Sequence, residues 1–119
     1  MPARLRRADP LELEGALDRR ATGVAGTEDL RLLTKHFLAV LQDRAPGRSV
    51  EVRVPPYAAV QVVEGVRHTR GTPPAVVETD VETWLALATG SLSWAAAEAD
   101  GSILASGERA DLSAYLPLD

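Results

Sequence analysis

Between Ala45 and Val50 the chain changes its hydrophobic period, and this constrains its fold more than any other feature. Before that point apolar residues recur at helical spacing, as in Leu30, Leu33, Phe37 and Leu41. After it, Val50, Val52 and Val54 alternate with Glu51 and Arg53, the pattern of a half-buried strand. Pro46-Gly47 separates the two regimes and stops the helix at Ala45. Helices first, then a hairpin, then mixed elements, make an α+β domain rather than a regular βαβ repeat.

The elements follow from local chemistry. Asp9-Pro10-Leu11-Glu12 is a helix start, with Asp9 as cap and Pro10 at the first helical position. Leu13, Ala16 and Leu17 form the apolar face of this helix, and Thr22-Gly23 and Gly26 break it. Thr27 opens the second helix, with Lys35 and Asp43 off its apolar stripe. Pro55-Pro56 ends the first strand, and a second is expected over Ala58 to Glu64, paired with it as an antiparallel hairpin. Ala75 to Glu78 is a short third strand. Thr79-Asp80 caps a third helix, with Glu82 placed for a capping box on Thr79 and Gly90 as its stop. Ser93 caps a short helix over Trp94 to Ala97, Ser102 to Ser106 is a fourth strand, and Arg109 to Leu116 is expected to form a last helix before Pro117. Residues 1–8, with Arg4, Arg6 and Arg7, are expected to be a flexible tail on a single domain of residues 9–119. Within that domain, residues 9–45 are the helical part and residues 49–119 carry sheet and helices.

Composition narrows the chemistry. The 119 residues include no cysteine, which excludes disulfides, thiolate metal sites and a Cys nucleophile. Seventeen acidic against 13 basic residues argue against nucleic acid as a partner. No apolar run reaches the ~20 residues of a membrane span, so no integral membrane association is expected. The start, Met-Pro-Ala-Arg-Leu-Arg-Arg7, is basic but has no apolar stretch behind it and does not read as a secretory signal, so a cytoplasmic location is expected. Among the basic residues only Lys35 is lysine, a bias of GC-rich coding.

Catalytic patterns are missing from the sequence. His36 and His68 are far apart, with no His pair at i,i+4 spacing, so no metal is expected. Glu28-Asp29 and Asp80 with Glu82 fall at helix starts, where the macrodipole explains them. There is no nucleophile elbow and no phosphate loop, so neither a catalytic residue nor a cofactor is assigned. Two features stand out. Arg67, His68 and Arg70 gather two guanidiniums and an imidazole in one loop, candidates to hold an anionic head group. The ordinary use of such arginines is pairing with nearby Glu64 and Glu78. Trp84 and Trp94 flank small residues on consecutive helices, where they either roof an apolar pocket or anchor a filled core.

The second half also resembles a known family. Ser49-Val-Glu-Val-Arg-Val-Pro-Pro-Tyr-Ala-Ala-Val-Gln61, Arg67-His-Thr-Arg-Gly-Thr-Pro-Pro74 and Thr83-Trp-Leu-Ala-Leu-Ala-Thr-Gly90 resemble the bacterial sterol carrier family of actinobacteria. Val77-Glu-Thr-Asp80, Ala105-Ser-Gly107 and Arg109-Ala-Asp-Leu-Ser113 continue the likeness. The resemblance implies a sterol carrier protein-like α+β fold, with a largely antiparallel sheet of about five strands covered on one face by helices. A strand near Val66-Arg67 would supply the fifth. It also implies an apolar tunnel, for which Val60, Val62, Trp84, Leu87, Ala88, Trp94 and Ala97 are the pocket candidates. The same motifs are similar to the C-terminal domain of mycothiol-dependent maleylpyruvate isomerase-type proteins. The metal-bearing helical bundle of those proteins has no counterpart here, so their chemistry is not carried over.

Two functions are therefore weighed. One is a small, non-catalytic cytoplasmic carrier of an apolar ligand such as a lipid, fatty acyl chain or acyl-CoA. It requires a cavity of roughly 300 Å³ or more, and Trp84→Ala would then alter affinity more than stability. The other is a protein-interaction or scaffold domain with no small ligand, a filled core and an exposed apolar patch, such as a homodimer surface. Trp84→Ala would then chiefly destabilise.

Overall fold

The computed structural model describes residues 4–65, 75–107 and 110–119. Helix α1 (Pro10–Ala21) starts where the cap chemistry places it, with the Asp9 carboxylate accepting from the amides of Leu11 and Glu12 at 3.1 and 3.2 Å. Helix α2 (Thr27–Arg44) is capped by Gly26, whose amide donates to the Asp29 carboxylate at 3.4 Å. Leu33, Thr34 and all residues from His36 to Leu41 are buried on α2, a wider surface than one apolar stripe. The reason is that α1 packs on one side of this helix while the sheet and the third helix pack on the others.

Strands β1 (Val50–Val54) and β2 (Ala58–Val62) form the expected antiparallel hairpin, with Val52 opposite Val60. Strand β3 (Ala75–Thr79) lies parallel to β1, and β4 (Ile103–Ser106) is antiparallel to β3. The sheet order is β2-β1-β3-β4. It is therefore a four-stranded mixed sheet among the described residues, with one parallel ladder at its centre. The parallel pairing follows from the connection: the chain leaves β2 at the sheet edge and must pass back to the far side of β1. The proposed fifth strand at Val66-Arg67 lies outside the described residues. Alternation buries Val50, Val52, Val54, Val60, Val62 and Val77 on one face and leaves Arg53, Ala59 and Leu104 exposed on the other. The helices cover the apolar face only.

Three local expectations are corrected. Strand β2 ends at Val62 instead of Glu64, because Val63 turns out of the sheet at φ 68°, held by its amide donating to the Ala45 carbonyl at 2.6 Å. The cap of helix α3 (Val81–Thr89) is Asp80, which accepts from the Thr83 amide at 2.8 Å. Thr79 stays in β3 opposite Ile103 and its hydroxyl donates to the Ser102 carbonyl at 3.3 Å, so no capping box forms with Glu82. Helix α4 (Trp94–Ala99) follows, capped by Ser93 as expected. The last helix, expected over Arg109 to Leu116, does not form among the described residues 110–116: only Ser113–Tyr115 makes a single 3-10 turn, after Asp111 has bonded the Ser113 amide at 2.8 Å. Among the described residues no helix is long and apolar enough to cross a membrane.

Candidate functional site

The junction of α3 and α4 forms a partly enclosed cleft. Gly90 ends α3 in the left-handed conformation at φ 84°, its amide returning to the Leu87 carbonyl at 3.3 Å, and the Leu92 amide reaches the Ala86 carbonyl at 3.1 Å. At the next residue, the Ser93 hydroxyl accepts from the Ala96 amide at 3.1 Å and starts α4. The C-terminal segment closes the other wall. Its anchors are the Leu118 amide on the Ala88 carbonyl at 2.7 Å and the Arg44 guanidinium on the Pro117 carbonyl at 2.7 Å. Leu112 and Leu118 are buried beneath it.

The cleft between these walls has a volume of about 360 Å³ and is lined by Leu87, Gly90, Leu92, Ser93, Trp94, Ala95, Ser113, Leu116 and Pro117. None of these carries a charge. Trp94 is 6% exposed and its indole nitrogen has no hydrogen-bond partner among the described residues. The Ser113 hydroxyl and amide hold the Asp111 carboxyl below the usual carboxylate range, which fixes the turn at the cleft wall. Among the described residues, two other recesses are polar or shallow by comparison. One of about 360 Å³ is bordered by Arg6, Glu12, Glu28, Arg31 and Lys35, and one of about 400 Å³ lies on the open sheet face by Glu78 and Leu104. An uncharged lining suits apolar burial, so the α3–α4 cleft is the candidate site.

The structure gathers all seven pocket candidates into one buried cluster. Leu87 and Trp94 reach the cleft. Val60 and Val62 sit on β2 facing the helices, and Ala88 and Ala97 lie beneath the cleft on α3 and α4. Trp84 is 1% exposed and donates its indole N–H to the Thr34 carbonyl of α2 at 3.3 Å. The head-group candidates Arg67, His68 and Arg70 lie outside the described residues. Glu78 of β3 stands opposite Arg53 of β1 in register.

Sequence reasoning missed Leu92, Ser113, Leu116 and Pro117. It placed residues 109–116 on a helix, and no local pattern says that an irregular segment returns to α3. Chemically the cleft offers burial and two hydroxyls. Its two serines have no histidine beside them in the lining. Among the described residues no group of three His, Asp or Glu side chains is placed to hold a metal ion.

Residues 27–118 match the family described as bacterial SCP ortholog. No curated protein matches the chain significantly.

Proposed function

The chain belongs to the family of bacterial SCP orthologs, a sterol carrier protein-like family, and from that premise we propose that it binds and carries a small apolar ligand without catalysing a reaction on it. The ligand class is a lipid, fatty acyl chain or acyl-CoA, and the setting is the cytoplasm. Residues 9–119 act as one domain in this reading. The observation that carries it is the uncharged cleft of about 360 Å³ at Leu87 and Trp94, inside the family-matched span. Burial drives binding at ~0.8 kcal/mol per CH₂, so affinity rises about fourfold per methylene until the chain outgrows the space. Arg67, His68 and Arg70 hold the anionic head in the same proposal.

The test is native mass spectrometry of the purified protein with organic extraction, followed by titration with saturated fatty acids of increasing length and with acyl-CoA. A lipid adduct, or saturable binding with that chain-length dependence, supports the carrier. A clean mass and no saturable binding across the series removes it. A protein-interaction domain is the second reading, favoured by Leu104, which is 66% exposed on edge strand β4.

A further inference from the structure

Residues 4–8 precede the family-matched span, which begins at Thr27. They lie along α2 instead of leaving the surface. Arg4 and Arg7 both pair with Asp43. The Leu5 amide donates to the Gln42 side-chain carbonyl at 3.1 Å, and the Leu5 side chain packs on the core. The Ala8 amide donates to His36 Nδ1 at 2.9 Å.

Only the last of these contacts depends on a proton near neutrality. Neutral imidazole accepts at Nδ1, whereas imidazolium carries a proton on both nitrogens and accepts at neither. His36 is 7% exposed, and its ring packs nearly perpendicular to that of Phe37 with the ring centroids 5.0 Å apart. A proton on Nδ1 would face the Ala8 N–H, donor against donor. The charges around it give no net relief, since the recess beside Ala8 sets Arg6, Arg31 and Lys35 against Glu12 and Glu28. From residues 4–8, Arg7 repels a second positive charge. On α2, Lys35 is the adjacent residue, and Asp43 is already held by Arg4 and Arg7. At the start of α1 the Asp9 carboxylate is bonded to the Leu11 and Glu12 amides.

We propose that residues 4–8 form a pH-sensitive strap, closed on α2 while His36 is neutral and released by mild acid, which uncovers the α2 surface beneath Leu5. Burial first, and Arg7 second, hold the closed-state imidazole below its ordinary value. In the open strap it regains a value near ~6.5. The closed form therefore keeps its full advantage above that pH and loses it as the pH falls below. For an open-state value of ~6.5, the opening constant rises by up to about tenfold between about pH 7.5 and pH 5.5. Asp43, the α2 carboxylate that the strap arginines grip, is held below the usual range by Arg4 and Arg7 and titrates in a separate, lower window.

The experiment is amide hydrogen exchange and ¹⁵N NMR of the full chain across that range, with Ala8 and Leu5 as reporters. The expected result is an opening constant for Ala8, corrected for intrinsic exchange, that rises by up to about tenfold as pH falls. His36→Asn keeps an acceptor and cannot titrate, so its exchange should be flat. A flat profile in the native chain, or the same rise in His36→Asn, overturns the proposal. Should that variant not fold, the native chain still decides: the coupling across the Ala8–His36 hydrogen bond must vanish with the midpoint of the His36 ring titration, and its persistence below that midpoint refutes the strap.

Discussion

Trp84 is the residue on which the buried cluster and the two functional readings meet. It is 1% exposed, and its one polar atom donates to the Thr34 carbonyl at 3.3 Å. Replacing a buried Trp by Ala costs about 3–5 kcal/mol, from lost transfer energy and the cavity left behind. Set against a total of ~5–15 kcal/mol for a domain, that is a large share. At roughly 3–5 °C per kcal/mol for a chain this size, a loss of ~4 kcal/mol lowers Tm by about 12–20 °C. Trp84→Phe separates the contributions, since it keeps most of the bulk and removes the donor. Thr34 lies inside α2, so its carbonyl keeps the ladder bond of the helix and is not orphaned. The hydrogen bond contributes about 1 kcal/mol, and the smaller ring adds a similar amount, so Trp84→Phe should cost ~2 kcal/mol. Urea unfolding followed by far-ultraviolet circular dichroism measures both. A cost for Trp84→Ala under ~1.5 kcal/mol would refute the claim that the space around Trp84 is filled core. Equal costs for Phe and Ala would show that the hydrogen bond outweighs burial.

Other outcomes follow from the same structure. Ala95 is exposed on the cleft rim, so Ala95→Trp should leave stability within ~0.5 kcal/mol while cutting fatty acid affinity at least about tenfold by filling the space, as read by titration and thermal melts. A Cβ on Gly47 would stand 2.2 Å from the Val63 carbonyl carbon, so Gly47→Ala should destabilise by ~3 kcal/mol in the same urea assay. Arg19 clamps Asp29 at 2.8 Å through two nitrogens and holds its carboxyl below the usual range. Because that folded-state value is depressed, the stabilisation is present above the unfolded carboxylate range and is lost as pH falls through the folded value. Arg19→Ala should flatten this acid limb of a stability–pH curve, and added salt should shrink the difference.

What the sequence disclosed was what local rules govern. Asp9, Asp80, Ser93 and Gly90 act through neighbours within a few residues, and the valine alternation marks β1 regardless of its partners. The family was legible for a related reason, since its motifs lie on contiguous stretches from Ser49 onward. Pairing direction was less legible. Nothing in Ala75 to Thr79 states that β3 runs parallel to β1, because that depends on where the chain passes between Val62 and Ala75. The cleft was half legible. Leu87 and Trp94 came with the family resemblance, but Leu116 and Pro117 are held there by the Leu118 amide on the Ala88 carbonyl and the Arg44 guanidinium on the Pro117 carbonyl, which no periodicity records. The residues before α1 have the same character, since a cluster of arginines does not reveal that Asp43 is its partner.

The parallel ladder at the centre of the sheet sets an order of assembly. Val54 and Ala58 pair across four positions of chain, whereas Val50 must find Ala75 across 25. Closing the shorter loop costs less chain entropy, so the β1–β2 hairpin is available before β3 arrives. The central ladder therefore carries the larger closure cost, since its first pair spans 25 positions against four in the hairpin. Long-range pairing of this kind is the slow part of folding. The link between Val62 and Ala75 thus bears on how quickly the sheet completes, and the hairpin turn much less.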